Sequence, residues 1–356
     1  MTPQRLIRPP WGALLLIATL ALSAHAADAK PSIKILATGG TIAGAQASQS
    51  EYGYKSGAFK VEDLINAVPR MKELADLSGE QIVNIGSQDM NDEVWLKLAR
   101  RLNEVLAQSD VDGVVITHGT DTLEETAYFL QAVLDPAKPI VLTCAMRPAT
   151  ALVPDGPQNL LDAMAVASTP GARGVLAVCA GNIHGAQDVQ KVHSYKVDAF
   201  SSGEAGLVGV VEEGRVRLFR PWPSAIDFYT ENRPPAQVEI AREAIKNIVI
   251  SAVAASDWPR VEIVLNYAGA NGLLVDALVA QGVRGIVVAG TGNGTLHLDL
   301  QAALLRAMAA GVRVLRSTRC VFGRVQAMPA DAIPDAQGLS PVKARIALLL
   351  ELLAAP

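Results

Sequence analysis

The stretch Ile33-Lys34-Ile35-Leu36-Ala37-Thr38-Gly39-Gly40-Thr41-Ile42-Ala43-Gly44 decides how the chain is read, and Val114-Val115-Ile116-Thr117-His118-Gly119-Thr120-Asp121-Thr122 repeats its form. In each, a short apolar run rich in β-branched residues stops abruptly at glycine and hydroxyl residues. Such a run predicts a strand buried on both faces of a parallel sheet, with the Gly-Thr turn at its carboxyl end. That edge of an open α/β sheet is where ligands bind. Two hydroxyl-bearing turns on one edge predict a site built around threonine nucleophiles rather than a phosphate cradle. The glycines at 39, 40 and 44 do not fit the GxGxxG spacing, and the GK[ST] of a P-loop is missing.

Outward from these two turns, strand-like runs recur at 33–38, 81–85, 114–117, 140–144 and 174–179. Helical spacing separates them: Val94, Leu98, Leu102 and Val105 mark a helix over 93–106, and Leu123, Ala127, Leu130 and Leu134 mark the next. Thr122-x-x-Glu125 predicts a capping box at the start of that second helix. The β-α-β-α rhythm predicts a mostly parallel sheet with helices on both faces. Composition agrees, because the chain is 50% hydrophobic but only 4% aromatic, so Val, Ile, Leu and Ala supply the apolar mass. Prolines in Arg220-Pro221-Trp222-Pro223 and Arg233-Pro234-Pro235 break the rhythm and mark a linker over 220–257. Strands at 261–267, 285–289 and 312–315, with helices at 276–281 and 300–310, follow it. The reading is an α/β protein with a larger N-terminal domain over 31–219 and a smaller C-terminal α/β domain over 258–356.

The first 26 residues read as a secretory signal peptide. Arg5 and Arg8 give a basic start, 11–22 is apolar but short for a bilayer span, and Ala24-His25-Ala26 is a small-x-small cleavage site. A membrane anchor is the alternative, disfavoured by the short apolar run. Export to the periplasm, or beyond the cell, is expected. Losing two arginines takes the net charge from −4 to −6, a mildly acidic surface that argues against nucleic acid. Cys144, Cys179 and Cys320 sit in or beside apolar runs and are expected to be buried free thiols. His118, His184, His193 and His297 form no metal-ligand spacing, and His118 is expected to be structural. No cofactor or metal is implied, and the lack of a GxSxG elbow argues against a serine hydrolase.

Chemistry is expected at four places. Thr41 follows two glycines that permit a tight turn and let backbone N–H groups face a ligand; taken alone, the triplet is only a strand-to-loop turn. Thr120-Asp121 offers a hydroxyl and a carboxylate at a helix N-terminus, where capping is the competing role. Ser87 and Gln88, in Gly86-Ser87-Gln88-Asp89-Met90-Asn91, could grip a small polar substrate, or the turn could simply cap the next helix through Asn91 or Asp92. Lys191, in a polar stretch, is either solvated or, turned inward toward Thr120 and Asp121, a base.

These residues closely resemble the motifs of bacterial type II L-asparaginases and the related glutaminase-asparaginases. The likeness runs through residues 37–44, through Asn84-Ile85-Gly86-Ser87-Gln88-Asp89-Met90-Asn91, and through residues 117–127. Ala145-Met146-Arg147-Pro148 and Asp155-Gly156-Pro157-Gln158-Asn159-Leu160 extend it. The resemblance implies Thr41 as the nucleophile on a side-chain amide carbon, giving an acyl-enzyme, with Tyr54 hydrogen-bonded to it. It implies that Thr120, Lys191 and Asp121 form a proton-transfer group, that Ser87 holds the substrate α-carboxylate, and that Asp121, helped by Gln88, holds the α-ammonium. It also implies a homotetramer with sites between subunits. One departure concerns the asparagine expected from a neighbouring subunit, which falls on Gly269 in Asn266-Tyr267-Ala268-Gly269-Ala270-Asn271; Asn271 is the candidate replacement.

The expected activity is therefore hydrolysis of L-asparagine to L-aspartate and ammonia. The alternatives are a glutaminase-asparaginase with comparable action on L-glutamine, and a non-catalytic periplasmic amino-acid-binding protein. The loop over 44–57 is expected to decide between asparagine and glutamine, since one methylene is worth only about 1–3 kcal/mol. Against the binding protein stands the set Thr41, Thr120, Asp121 and Lys191, because binding alone does not need two activated threonines. If the leader is read correctly, export of the full chain leaves a mature N-terminus at Ala27. Intact mass and N-terminal sequencing check this, and a chain retaining Met1 in the membrane fraction contradicts it.

Overall fold

A computed structural model of the protein describes residues 30–46, 53–223, 243–252 and 254–354. The predicted signal peptide and most of the predicted linker lie outside the described residues. In chain order the N-terminal part contains β1 (Ser32–Gly39), the two-residue strands β2 (Ala45–Gln46) and β3 (Tyr54–Lys55), α1 (Val61–Ala67), α2 (Met71–Leu74) and β4 (Asp76–Ile85). It continues with α3 (Asp92–Leu106), β5 (Gly113–Thr117), α4 (Leu123–Leu134), β6 (Pro139–Thr143), α5 (Gly156–Ala167), β7 (Gly174–Cys179) and β8 (Asn182–Gly185). The small pair β9 (Gln190–Lys191) and β10 (Phe200–Ser201) and the hairpin β11 (Gly209–Glu212) and β12 (Arg215–Leu218) complete it.

One sheet takes the order β12-β11-β8-β7-β6-β5-β1-β4. β4, β1, β5, β6 and β7 are parallel, and β8, β11 and β12 add an antiparallel edge. The chain runs from β1 to β4 on one side, then crosses to β5 on the other. The carboxyl ends of β1 and β5 thus flank the point where the winding reverses, which is where such sheets open a crevice.

Successive strand residues feed two separate cores, as a period of two requires. Val114, Ile116, Ile140, Leu142, Val175 and Ala177 face α3 and α4, while Val115, Val141, Leu176 and Val178 face α1 and α5. Both faces are covered, which explains the unbroken apolar runs.

The C-terminal part contains β13 (Val261–Leu265), α6 (Leu273–Ala280), β14 (Gly285–Gly290), α7 (Leu298–Ala309), β15 (Arg313–Thr318) and α8 (Pro341–Ala354). Its three strands form a parallel sheet in the order β13-β14-β15. α6 and α7 cover one face of that sheet. α8 covers the other and also packs on α4, so one apolar core runs through both parts of the molecule. Phe129 of α4 sits in this core, stacked on Trp95 at 5.0 Å and tilted against Trp258 at 5.9 Å.

Two local expectations need correction. Thr122 does not form a capping box with Glu125: its hydroxyl makes no cap bond to the helix N–H groups and instead donates to the Ser87 carbonyl of a neighbouring turn at 2.7 Å. Cys320 is exposed, unlike buried Cys144 and Cys179, because the apolar run ends with β15 at Thr318. The short strands β8–β12 carry no apolar run of useful length, and the sequence reading placed none there. Asn91 does cap α3, accepting from the Val94 N–H.

Phe129 is fully buried between two indoles, so Phe129→Ala should lower stability by about 3–5 kcal/mol, measurable by urea denaturation.

Candidate active site

Three turns leave the carboxyl ends of β1, β4 and β5 and press together through their glycines. A Cβ on Gly40 would lie 2.4 Å from the Gly119 nitrogen, and one on Gly119 would lie 2.5 Å from Ser87 Oγ. Gly40 also has φ +80°, a conformation L side chains rarely adopt. Backbone bonds fix the stack: the Gly40 N–H donates to the Ile85 carbonyl at 2.9 Å, and the Gly57 N–H donates to the Gly40 carbonyl at 3.2 Å. Thr41, Ser87 and Thr120 are therefore brought together from three separate turns, each only 4–6% exposed.

Thr41 opens a single 3₁₀ turn, Thr41–Ala43, closed by the Gly44 N–H on the Thr41 carbonyl at 2.8 Å. β2 follows and pairs with β3, so Tyr54 sits opposite Gln46 in a small hairpin just after the Thr41 turn. The side chain of Tyr54 lies outside the described residues, as does the stretch 47–52 with Ser50 and Tyr52.

Beside Thr120 the charged groups converge. Lys191 Nζ donates to Thr120 Oγ1 at 2.8 Å and to Asp121 Oδ1 at 2.6 Å. The lysine side chain is 15% exposed and the aspartate 54%. Lys191 thus turns inward, the second of the two readings its sequence context left open. Its strand, β9, is held twice: Phe200 of β10 pairs with it, and its N–H donates to Glu124 Oε1 at 3.1 Å. Burial raises the Glu124 carboxyl above its usual range, and Lys343 partly offsets this.

Ser87 Oγ accepts the Asp121 N–H at 3.0 Å, which leaves its own O–H free to donate to an incoming anion. Gln88 is exposed, and its amide donates to Asp89 Oδ2 at 3.3 Å rather than reaching Asp121. His118 is fully buried under the Thr120 turn. Its Nδ1 lies 2.7 Å from the Gly119 carbonyl and its Nε2 lies 3.0 Å from Thr126 Oγ1, which also accepts from Trp95 Nε1. Burial pushes its pKa down to about 4, so it is a neutral prop with Nδ1 as the donor.

Gly269 takes φ +82° in the turn after β13, a geometry that suits glycine, and a Cβ there would have no described atom within 4 Å beyond its chain neighbours. Asn271 Oδ1 accepts the Leu273 N–H at 3.0 Å at the start of α6. Among the described residues no cluster of His, Cys, Asp and Glu could hold a metal ion, and no helix is long and apolar enough to cross a membrane.

Two family models match the chain: "Asparaginase, N-terminal" over residues 32–224 and "Glutaminase/Asparaginase C-terminal domain" over residues 260–355. The chain belongs to the asparaginase family. It is 43% identical to L-asparaginase 2 of Bacillus subtilis over 338 residues, covering 93% of this chain and 85% of that protein. Its identity to L-asparaginase 2 of Escherichia coli is 42% over 337 residues, covering 92% and 90%. The crystal structure titled "Probable Cytoplasmic L-asparaginase" from Campylobacter jejuni superposes with a TM-score of 0.81 at 39% identity, covering 91% of this chain and 95% of that one.

In this asparaginase-family chain, the sequence reading assigned no role to Glu124 and only a capping role to Thr122, although both lie inside the quoted motif. Their signal is an acid and a hydroxyl in the first turn of α4, a pattern shared with ordinary capping.

Gly40→Ala should force the Thr41 and Thr120 turns apart. A displacement near 1 Å predicts a loss of about 10²-fold in turnover with little change in far-UV circular dichroism. Steady-state kinetics on the purified variant check this.

Proposed function

We propose that the protein is an amidohydrolase converting L-asparagine to L-aspartate and ammonia, with Thr41 as nucleophile. The observation that carries the reading is the Lys191–Thr120–Asp121 cluster, with the Thr41 turn packed directly against the Thr120 turn through Gly40 and Gly119.

The substrate is a zwitterion, and the site has a group for each charge. The free O–H of Ser87 faces the α-carboxylate, and a carboxylate oxygen of Asp121 that Lys191 leaves uncovered faces the α-ammonium. Gln88 is placed at the rim, close enough in sequence to assist once its amide leaves Asp89.

Thr41 Oγ1 attacks the side-chain amide carbon. Backbone N–H groups of the glycine turns stabilise the oxyanion that forms. A proton reaches the amide nitrogen, so that ammonia rather than an amide anion leaves, and an ester to Thr41 remains. Water then attacks the ester, the Thr41–acyl bond breaks, and the proton returns to Thr41. Lys191 and Thr120 supply the relay: Lys191 Nζ, hydrogen-bonded to Thr120 Oγ1, exchanges a proton with that oxygen, and the Thr120 oxygen passes protons to and from the attacking and leaving groups. Tyr54 belongs to this scheme as the hydrogen-bond partner of Thr41.

Comparable action on L-glutamine is the second reading, favoured by the C-terminal family model, which spans both glutaminases and asparaginases. Homotetramer formation is also proposed. It is supported by exposed apolar side chains on the C-terminal part, with Leu273 76% and Leu298 81% exposed. Export to the periplasm rests on the leader sequence, and the division at 31–219, 220–257 and 258–356 remains our reading of the domain limits.

Ammonia release from L-asparagine and L-glutamine, measured side by side on the mature protein, tests the reading. Turnover of asparagine is expected, with a loss of at least 10³-fold in both Thr41→Ala and Lys191→Met. Comparable turnover of both amides selects the glutaminase-asparaginase. A folded wild type that binds asparagine without releasing ammonia is a binding protein instead. Sedimentation of the mature chain as a single subunit would contradict the tetramer.

A further inference from the structure

Lys343 of α8 is a buried cation outside the proposed chemistry. It is 1% exposed, and its Nζ donates to the carbonyls of Gln187, at 2.8 Å, and Val189. Those carbonyls belong to the turn between β8 and β9, ending two residues before Lys191. The turn is closed by the Asp188 and Val189 N–H groups on the Gly185 carbonyl, at 3.1 and 3.0 Å, and by the ion pair of Asp188 with Arg220. The charge of Glu124, the carboxylate that accepts the Lys191 N–H, also acts on Lys343 through space, without a direct ion pair.

Burying an ammonium costs several kcal/mol unless it is well partnered, and a methionine of similar length would pack α8 without that cost. The groups around Lys343 are what its charge organises. Both touch the backbone of Lys191: the turn leading into it and the acid beneath it. We infer that Lys343 is a positioning residue for the reaction, reaching from the C-terminal part to hold the Gln187–Val189 turn and Glu124 so that Lys191 Nζ meets Thr120. The inference rests on Lys191 acting in the proton relay. It makes α8 a component of an active site whose reacting groups lie on the other sheet.

The charged groups facing Lys343 are Glu124 on α4 and Asp188 in the turn, both favouring its charge. His184 on β8, pushed down to about 4 by burial and by the Lys343 and Arg220 charges, is neutral at working pH. Glu125 on α4 and Asp92 on α3 face Arg345, two residues along α8. Desolvation lowers the Lys343 pKa to about 8, so its charge is present below that pH and lost above it. Over the same window, up to the ordinary lysine range, the unfolded chain still binds the proton. Stability contributed by Lys343 therefore rises with pH while its positioning role disappears.

The experiment is kcat, KM and melting temperature for L-asparagine hydrolysis across pH 6–10 in the full mature enzyme, for wild type, Lys343→Met, Glu124→Gln and Lys191→Met. Lys343→Met is expected to lower kcat at least tenfold, with KM changed less than threefold and no fall in melting temperature. Wild-type kcat should decline as pH rises through about 8. Glu124→Gln keeps the shape and the acceptor for the Lys191 N–H but removes the charge, so its alkaline limb should move to lower pH. That shift is the deciding readout if Lys343→Met does not fold. A Lys343→Met enzyme with wild-type kcat beside an inactive Lys191→Met overturns the positioning role alone, as does a Glu124→Gln profile that superimposes on wild type. Wild-type turnover in Lys191→Met overturns the relay and this inference with it.

Discussion

The contact on which the site depends is the approach of two backbones, Gly40 against Gly119, at the carboxyl ends of β1 and β5. A side chain on either glycine would intrude on the neighbouring turn at distances no real Cβ shows. Their absence lets two threonine-bearing turns share one crevice, with Ser87 from a third turn pressed against Gly119. The parallel sheet makes this meeting possible. β1 and β5 are hydrogen-bonded neighbours although β4 lies between them in sequence, so the winding reverses at the place where both strands end.

Burial then sharpens the chemistry. His118, Thr126 and Trp95 form a hydrogen-bond chain beneath the Thr120 turn, with both imidazole nitrogens engaged and the ring held neutral. Above it lies the pair of largely buried Lys191 and half-exposed Asp121. For the proposed reaction, a buried floor under a more exposed charged rim would hold the reacting groups in fixed geometry while leaving a substrate's charged ends reachable. α8 joins this arrangement to the second sheet, since its apolar residues extend the core of the first and its buried lysine touches the segment that carries Lys191.

Much of this is legible from residues near one another in the chain. The runs at 114–117 and 174–179 are buried on both faces, so they read as parallel strands, and they are. Thr41 and Thr120 stand out because an apolar run ending in Gly-Thr is a local pattern. Local pattern also misleads: Thr122 and Glu125 have the spacing of a capping box, yet a carbonyl from a distant turn takes the Thr122 hydroxyl. β8, β11 and β12 were not legible because an antiparallel edge exposed on one side needs no long apolar run. α8 is apolar nearly all round, as a helix buried between two layers must be, and so lacks the one-sided stripe that marks a surface helix.

The sequence by itself determined the buried parallel strands, their order of appearance, and the turns that hold the two threonines, because hydrophobic runs, glycine conformations and hydroxyl residues act within a few positions of each other. Only the tertiary structure decided which way Lys191 points. Nothing in Gln187-Asp188-Val189-Gln190-Lys191-Val192-His193 tells a solvated lysine from an inward one. Glu124 and Lys343, distant in the chain and adjacent in space, fix that direction through hydrogen bonds and charge.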